Sequence, residues 1–312
     1  MILEKKNIKI VNDIIDVWIN SKSQIKVQSY QRYERLITVH IEKTMGKYKL
    51  KKLTGIDIKK YFNELELKKV STSVQKTIFY ILHSSLQIAM EKRLCNPINF
   101  KEVNFKYKQI EINILSKKEQ IRLEYELMKN DNIRKICLLL TLYTGLRIGE
   151  LSGLKWSDID FLDQCLYVKR TVSRIKYSNG IIKTKLVVGT PKSNTSSRCI
   201  PIPKFLIELL KKYRSHPNYF ILSNSTNIYD PRLMEYFYVR IMKKCGIKYT
   251  NFHTMRHTFA TRSIESGMDI KALSEILGHS SVQITLKIYV HPTKEYKRKS
   301  LENLVKFMSI KK

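Results

Sequence analysis

Four polar side chains stand out in the stretch FHTMRHTFATRSIESGMDIKALSEILGHSSVQITLKIY, from Phe252 to Tyr289: His253, Arg256, His279 and Tyr289. Phe259, Ile264, Leu273, Ile276 and Leu277 recur there at three-to-four-residue spacing, so the helices have a core face that the polar set need not fill. His253 and Arg256 lie three apart and share one helical face. Gly267 and Asp269 read as a helix stop and a new N-cap, and the next helix delivers His279 just after Gly278. Donors from two helices can therefore converge on one anion. Taken singly, each residue has a plainer explanation: an Arg and a His on a solvated face, a His behind a capping Gly, a buried Tyr.

Two further cations fall where an anion could be met. The apolar helix from Ile133 to Tyr143 stops at Gly145, and Leu146-Arg147-Ile148-Gly149-Glu150-Leu151 begins another. Arg147 thus sits at the boundary of two elements, where backbone groups lack helical partners, and that position suits an anion-binding side chain. Lys192 is expected at the tip of the second of two β-hairpins. A lysine there is ordinarily just solvated, and it matters only if the hairpin points into the site.

The elements that must position these groups follow from periodicity. From about Lys9 to Phe105 four amphipathic helices are expected, marked by Ile14, Ile15 and Trp18, then Tyr33, Leu36, Ile37 and Ile41, then Ile58, Tyr61, Phe62 and Leu65. The fourth is capped by Ser71, carries Val74, Ile78, Ile81, Leu82, Leu86 and Met90 on one stripe, and ends at Asn96-Pro97. Polar, basic residues follow as a linker, and Ser116 with Glu119 opens the next domain as a capping box. Strand-like segments at Cys165–Val168, Ile181–Val188 and Arg198–Ile202, separated by Ser178-Asn179-Gly180 and by Ser193 to Ser197, predict a small antiparallel sheet. Helices resume at Lys204–Tyr213 and Pro231–Lys244, and a last one, Glu295–Met308, carries Leu301, Leu304, Val305 and Met308 after His291-Pro292. The expected fold is mainly α with a small antiparallel β-sheet. Residues 1–105 form a four-helix domain, 106–114 a linker, and 115–312 an α+β domain ending in the helix 295–308.

At 312 residues, two domains of ordinary size are expected. Lys and Arg number 58 against 27 Asp and Glu, a net charge of +31, which argues for a polyanionic partner, nucleic acid first. The Lys, Ile and Asn bias would also follow from an AT-rich genome, so the charge sets an expectation only. No apolar run approaches the ~18 residues of a membrane span, and the N-terminus lacks an apolar signal core, so no membrane and a cytoplasmic location are expected. Five scattered cysteines, without a CxxC pair or a His/Cys cluster, indicate neither a disulfide framework nor a zinc site.

Four blocks together resemble the tyrosine recombinases, or phage-type integrases: TGLRIGELSGLKWSDID (Thr144–Asp160), GTPKSNTSSRCIPIP (Gly189–Pro203), HTMRHTFAT (His253–Thr261) and LGHSSVQITLKIYVH (Leu277–His291). They stand in that family's order, and the first four helices, down to Asn96-Pro97, resemble its SAM-like core-binding domain. The resemblance implies Arg147, Lys192, His253, Arg256 and His279 as a catalytic set, Tyr289 as nucleophile and Glu150 as a supporting acid. It implies double-stranded DNA recombination sites as substrate, a tetrameric synapse of protomers, and accessory proteins that bend the DNA. The last helix is expected to dock on a neighbouring protomer. Few residues precede the first helix, so the arm-binding domain of larger integrases is not expected.

The chemistry is coherent on its own. Reversible cutting of a phosphodiester without an energy source requires a covalent link that keeps the bond energy, and Tyr289 can supply it as a 3′-phosphotyrosine. His253 is the expected base or proton relay for a phenol whose ordinary pKa is about 10. Arg147 and Arg256 can hold the nonbridging oxygens, His279 adds a donor, and Lys192 can protonate the leaving 5′-oxygen. No metal and no cofactor are expected. The leading reading is the integrase or excisionase of a prophage or other mobile element. A chromosome-dimer resolvase of the same family, a type IB topoisomerase and a catalytically idle DNA-binding regulator are the alternatives.

Overall fold

A computed structural model describes residues 8–22, 24–105, 112–129, 132–177, 183–190 and 197–289, together with isolated positions between 298 and 308. The chain divides into two units, Met1–Ile110 and Glu111–Lys312.

The first unit is built from α1 (Val11–Asn20), α2 (Val27–Leu36), α3 (Gly55–Leu67) and α4 (Thr72–Glu91). Local chemistry fixes where they start. Asp13 accepts the backbone N–H groups of Lys9 and Ile10, Thr54 and Asp57 form a capping box, and the Ser71 hydroxyl accepts from Val74 N–H. A wider π-turn over Ile37–Ile41 extends α2. The stripes read from the sequence form the core: Ile14, Ile15, Trp18, Ile58, Ile78, Ile81, Leu82 and Leu86 are buried. Phe62, Phe79, Phe100 and Phe105 close one end edge-to-face, at centroid distances of 5.5–5.9 Å.

The second unit is organised around α6 (Ile133–Thr144), on which Ile136, Cys137, Leu138, Leu139, Leu140 and Leu142 are all buried. A helix apolar on every side must be surrounded. Against it pack α5 (Lys117–Met128), entered through the Ser116–Glu119 capping box, α8 (Lys204–Lys211) through Leu206, Ile207 and Leu210, and α10 (His253–Glu265), while α9 (Pro231–Lys244) adds Met234, Phe237 and Tyr238 to the same core. The short α7 (Ile148–Gly153) follows α6. After α10 come α11 (Ile270–Leu277) and α12 (Val282–Tyr289). These three helices enclose a small separate core of Ala260, Ile264, Leu273, Leu277 and Tyr289.

The β structure departs from the sequence reading. Among the described residues there are two antiparallel sheets, not one: β1 (Ile159–Asp160), β2 (Cys165–Val168) and β5 (Arg198–Pro201) in the order β1-β2-β5, and a separate pair, β3 (Thr171–Lys176) with β4 (Thr184–Gly189). β3, with the sequence TVSRIK, went unrecognised because its two apolar residues stand three apart and show no period-2 alternation; Val172 and Ile175 are its buried positions. β4 pairs with β3 and β5 with β2, and not with each other as the expected second hairpin would require. Lys192 itself and the turn at 178–180 lie outside the described residues. Most of the last expected helix lies outside them too. Its described positions are helical, Arg298 pairs with Glu302 at 3.2 Å, and Leu301, Leu304, Val305 and Met308 are exposed. No described helix is long and apolar enough to cross a membrane.

Candidate active site

Two left-handed turns and one buried guanidinium set the frame. α6 and α11 end at Gly145 (φ 65°) and Gly278 (φ 63°), a conformation that glycine adopts without steric cost. Arg256 on α10 is 1% exposed and donates from Nη1 to the Gly145 carbonyl at 2.7 Å and from Nη2 to the Leu277 carbonyl at 2.6 Å. One planar fork therefore joins the C-terminal ends of two helices, where their dipoles favour a cation. Burial and the charge of Arg147 lower the Arg256 pKa to about 9, with Glu150 acting the other way, so the group stays protonated at neutral pH.

The residues just past the two glycine turns are thereby brought together. Arg147 is the N-cap of α7. Its backbone N–H donates to Glu150 Oε2 at 3.0 Å, its Nη1 to Glu150 Oε1 at 2.7 Å, and its Nη2 to the Gly278 carbonyl at 3.4 Å. Glu150 is buried and is gripped from a second side by Arg198 at the start of β5, through Nη1 at 3.2 Å and Nη2 at 3.0 Å. Arg198 Nε also donates to the Ile276 carbonyl, next to the turn that presents His279. Burial works to raise the Glu150 carboxyl pKa, but the bonds and charges of Arg198 and Arg147 prevail and hold it below its ordinary value.

Tyr289 closes the site from the end of α12, with its ring on the small core and only 9% of its surface exposed. Its hydroxyl meets His257 Nδ1 at 2.7 Å, and its ring lies parallel to that of His279, 3° from coplanar, with centroids 6.5 Å apart. Burial raises the phenol pKa, while Arg256 and Arg147 pull it the other way. His279 is oriented by the fully buried Thr285, whose hydroxyl lies 2.8 Å from Nδ1. His253, at the start of α10, meets His257 edge-on at 4.6 Å.

All three imidazoles are held neutral. Burial, then Arg256, Arg147 and Arg198, bring His279 down to about 4. Burial and Arg256 lower His257. His253 is brought to about 4 by surrounding protein, then by His257, Arg256 and Arg147. His253 is also exposed, so water screens those charges there more than at the half-buried His257 and His279.

Of the residues singled out from the sequence, Arg147, Glu150, Arg256, His279 and Tyr289 come together in one chain, His253 joins them through His257, and Lys192 lies outside the described residues. Sequence reasoning missed His257 and Arg198. His257 sits one helical turn after His253, so the same spacing argument could have found it. Arg198 gave no such signal, because its partners Glu150 and Ile276 are remote in sequence. Among the described residues, no three His, Cys, Asp or Glu side chains converge as a metal site would. Three guanidiniums around a single carboxylate leave net positive charge beside a phenol, an arrangement that can receive an oxyanion next to a nucleophile.

The profile described as "Phage integrase family" matches residues 114–296, and that of "Phage integrase, N-terminal SAM-like domain" matches residues 11–66. A protein named tyrosine recombinase XerC-like, from Caldanaerobacter subterraneus subsp. tengcongensis, is 29% identical over 94% of this chain and 82% of its own length. The fold is similar to that of the Tn1549 transposon integrase in complex with transposon right end DNA, with a TM-score of 0.80 and 22% identity over 95% of this chain and 99% of the other. It also resembles a lambda integrase tetramer bound to a Holliday junction, with a TM-score of 0.62 and 17% identity over 89% and 80% of the two chains. With the first profile spanning more than half of its length, the chain belongs to the phage integrase, or tyrosine recombinase, family.

Proposed function

We propose that the protein is a site-specific DNA recombinase of a prophage or other integrative element, which cuts and rejoins strands through a 3′-phosphotyrosine at Tyr289. The observation that carries this reading is the placement of the Tyr289 hydroxyl among groups from two distant parts of the chain, α10 and the turn before α7. It is hydrogen-bonded to His257 and lies within the electrostatic reach of Arg256 and Arg147. In this scheme Arg147 and Arg256 hold the nonbridging oxygens of the scissile phosphate, and both guanidiniums remain charged throughout. His279, oriented by Thr285, donates to the same phosphate, and His253 relays protons at its edge. Lys192 protonates the departing 5′-oxygen. Glu150 fixes Arg147 without touching DNA.

The substrate is double-stranded DNA, and the net charge of +31 makes affinity fall steeply with salt. The helical unit 1–105 and the unit 115–312, joined through 106–114, supply DNA binding and chemistry respectively. The names of similar proteins, one solved on transposon-end DNA and one as a tetramer on a Holliday junction, support a synapse of four protomers. The exposed Leu301, Leu304 and Met308 provide an apolar stripe for contact between them.

The test separates recombination from neighbouring activities. Two copies of a candidate attachment sequence should be joined by wild-type protein, with four protomers in the synaptic complex. Relaxation of supercoiled plasmid lacking that sequence would favour a topoisomerase instead, and binding without any strand joining would favour an idle regulator.

A further inference from the structure

The sequence assigns the proton on the nucleophile to His253, but the imidazole that meets the Tyr289 hydroxyl is that of His257, with His253 packed edge-on behind it. Tyr289 is buried and its phenol pKa is raised, so at neutral pH it holds its proton until some group takes it. Arg256 and Arg147, whose charges bear on the phenol, are guanidinium donors with no lone pair to offer a proton. The atom in contact with the hydroxyl is Nδ1 of His257, at 2.7 Å.

We propose that His257 is a catalytic residue, the general base that accepts the Tyr289 proton directly through Nδ1 as the phenol attacks the scissile phosphate. The proposal rests on Tyr289 being the nucleophile. In the step, the Tyr289 O–H bond breaks and an Nδ1–H bond forms, turning His257 into an imidazolium. The phenol oxygen bonds to phosphorus, the bond from phosphorus to the 5′-oxygen breaks, and the 5′-oxygen takes a proton from the general acid. Religation runs the same transfers backwards, and His257 returns the proton to Tyr289.

Three features suit the residue to this work. Burial and the neighbouring Arg256 keep the ring neutral, with a lone pair free to accept, and acceptance through Nδ1 requires the ring hydrogen to sit on Nε2. His257 lies in the second turn of α10, next to Arg256, whose two terminal nitrogens are tied to the ends of two other helices, so the base is carried on a rigid element. Finally, the imidazolium would form beside Arg256 on its own helix, with His253 one turn away, while Arg147 from the α6–α7 turn and His279 behind the Tyr289 ring add no negative charge. That crowding disfavours the protonated state in the free enzyme. A bound phosphate relieves it, so proton transfer is tied to the presence of substrate.

The experiment measures the single-turnover rate of covalent adduct formation on a nicked duplex that traps the cleaved strand, from pH 5 to pH 9. Wild type, His257→Ala, His257→Gln and Tyr289→Phe are compared, with and without added imidazole. The wild-type rate should fall on acidification, below the ordinary histidine range, as Nδ1 becomes protonated. His257→Ala should lose about 100-fold or more at pH 7, recover as pH rises toward the phenol pKa, and be rescued in proportion to free-base imidazole. His257→Gln, which fills the space, should be slow and unrescued. DNA binding by both variants should match wild type.

A rate for His257→Ala within about threefold of wild type would overturn the proposal. So would a slow His257→Ala that ignores imidazole while His257→Gln keeps the wild-type pH dependence, since that pattern belongs to packing alone. A wild-type rate that climbs on acidification would overturn it as well, by showing that the protonated ring donates. Adduct formation by Tyr289→Phe would instead remove the reading of the site on which the proposal stands.

Discussion

Arg198 holds the carboxylate of Glu150 through both terminal nitrogens, at 3.2 and 3.0 Å, while Arg147 holds the same carboxylate at 2.7 Å. The side chains of Arg198 and Glu150 are 6% and 4% exposed, so the pair is almost dry. Removing Arg198 leaves the buried Glu150 carboxylate with Arg147 alone, so the cost lies toward the lower end of the about 3–5 kcal/mol that a fully stranded partner would lose. Arg198→Met should therefore lower the melting temperature by about 10 °C, taking roughly 2–4 °C per kcal/mol for a unit of this size. Arg198→Lys keeps the charge but loses the fork. It should bind DNA normally and form the covalent adduct about tenfold more slowly, because Arg147 and the His279 turn are no longer held in register. Wild-type adduct rates for Arg198→Lys would show that the residue only stabilises the fold.

Gly278 offers a sharper probe of the same turn. Its φ is 63°, and a Cβ there would come within 3.0 Å of Arg198 Cδ and Nη1. A left-handed alanine costs about 1–2 kcal/mol, and the crowding would displace either Arg198 or His279. Gly278→Ala should consequently impair strand cleavage by more than it lowers the urea midpoint would suggest, with DNA affinity preserved. Chemical denaturation and adduct formation, measured on the same preparation, make the comparison.

The histidines predict how stability depends on pH. Unfolded histidines titrate near 6.5, whereas His253 and His279 in the fold are brought down to about 4 and His257 is also lowered. Between about pH 4 and 6.5 the unfolded chain therefore binds more protons than the folded one, so stability rises with pH and is lost on acidification. Glu150, whose carboxyl is held below its ordinary value, adds a further loss at the acid end. The urea midpoint should fall from pH 7 to pH 5, and the double substitution His253→Gln, His279→Gln should flatten that slope. Bound DNA phosphate supplies the missing negative charge, so the NMR-detected pKa of the His279 ring should rise in the complex. A midpoint independent of pH over this range would contradict the buried neutral rings.

Much of this arrangement was legible because it is local. Gly145 and Gly278 announce left-handed helix ends, Ser116 and Glu119 a capping box, and Asp269 an N-cap whose side chain accepts from Ala272 N–H. The buried stripes of α1, α3 and α4 follow directly from the 3.6-residue period. What escaped depends on pairing between remote segments. β3 has no alternation to read, its apolar Val172 and Ile175 standing three apart, and no periodicity could say that β4 pairs with it while β5 joins β2. His257 gained a role only when α12 laid Tyr289 against it, and Arg198 only when β5 passed beneath Gly278. The spacing pointed to a convergence of His253, Arg256 and His279, and the family resemblance added Arg147, Lys192 and Tyr289, but neither pointed to the atom that touches the phenol.

One measurement bears most directly on the covalent link. Wild-type protein incubated with a nicked duplex carrying its recombination site, then digested with nuclease and protease, should yield a single nucleotide-bearing peptide. Mass spectrometry should place the phosphodiester on the Tyr289 oxygen, and Tyr289→Phe should yield no such peptide while still binding the duplex. A nucleotide attached to any other side chain, or equal attachment in the Phe variant, would contradict the mechanism built on the Tyr289 hydroxyl.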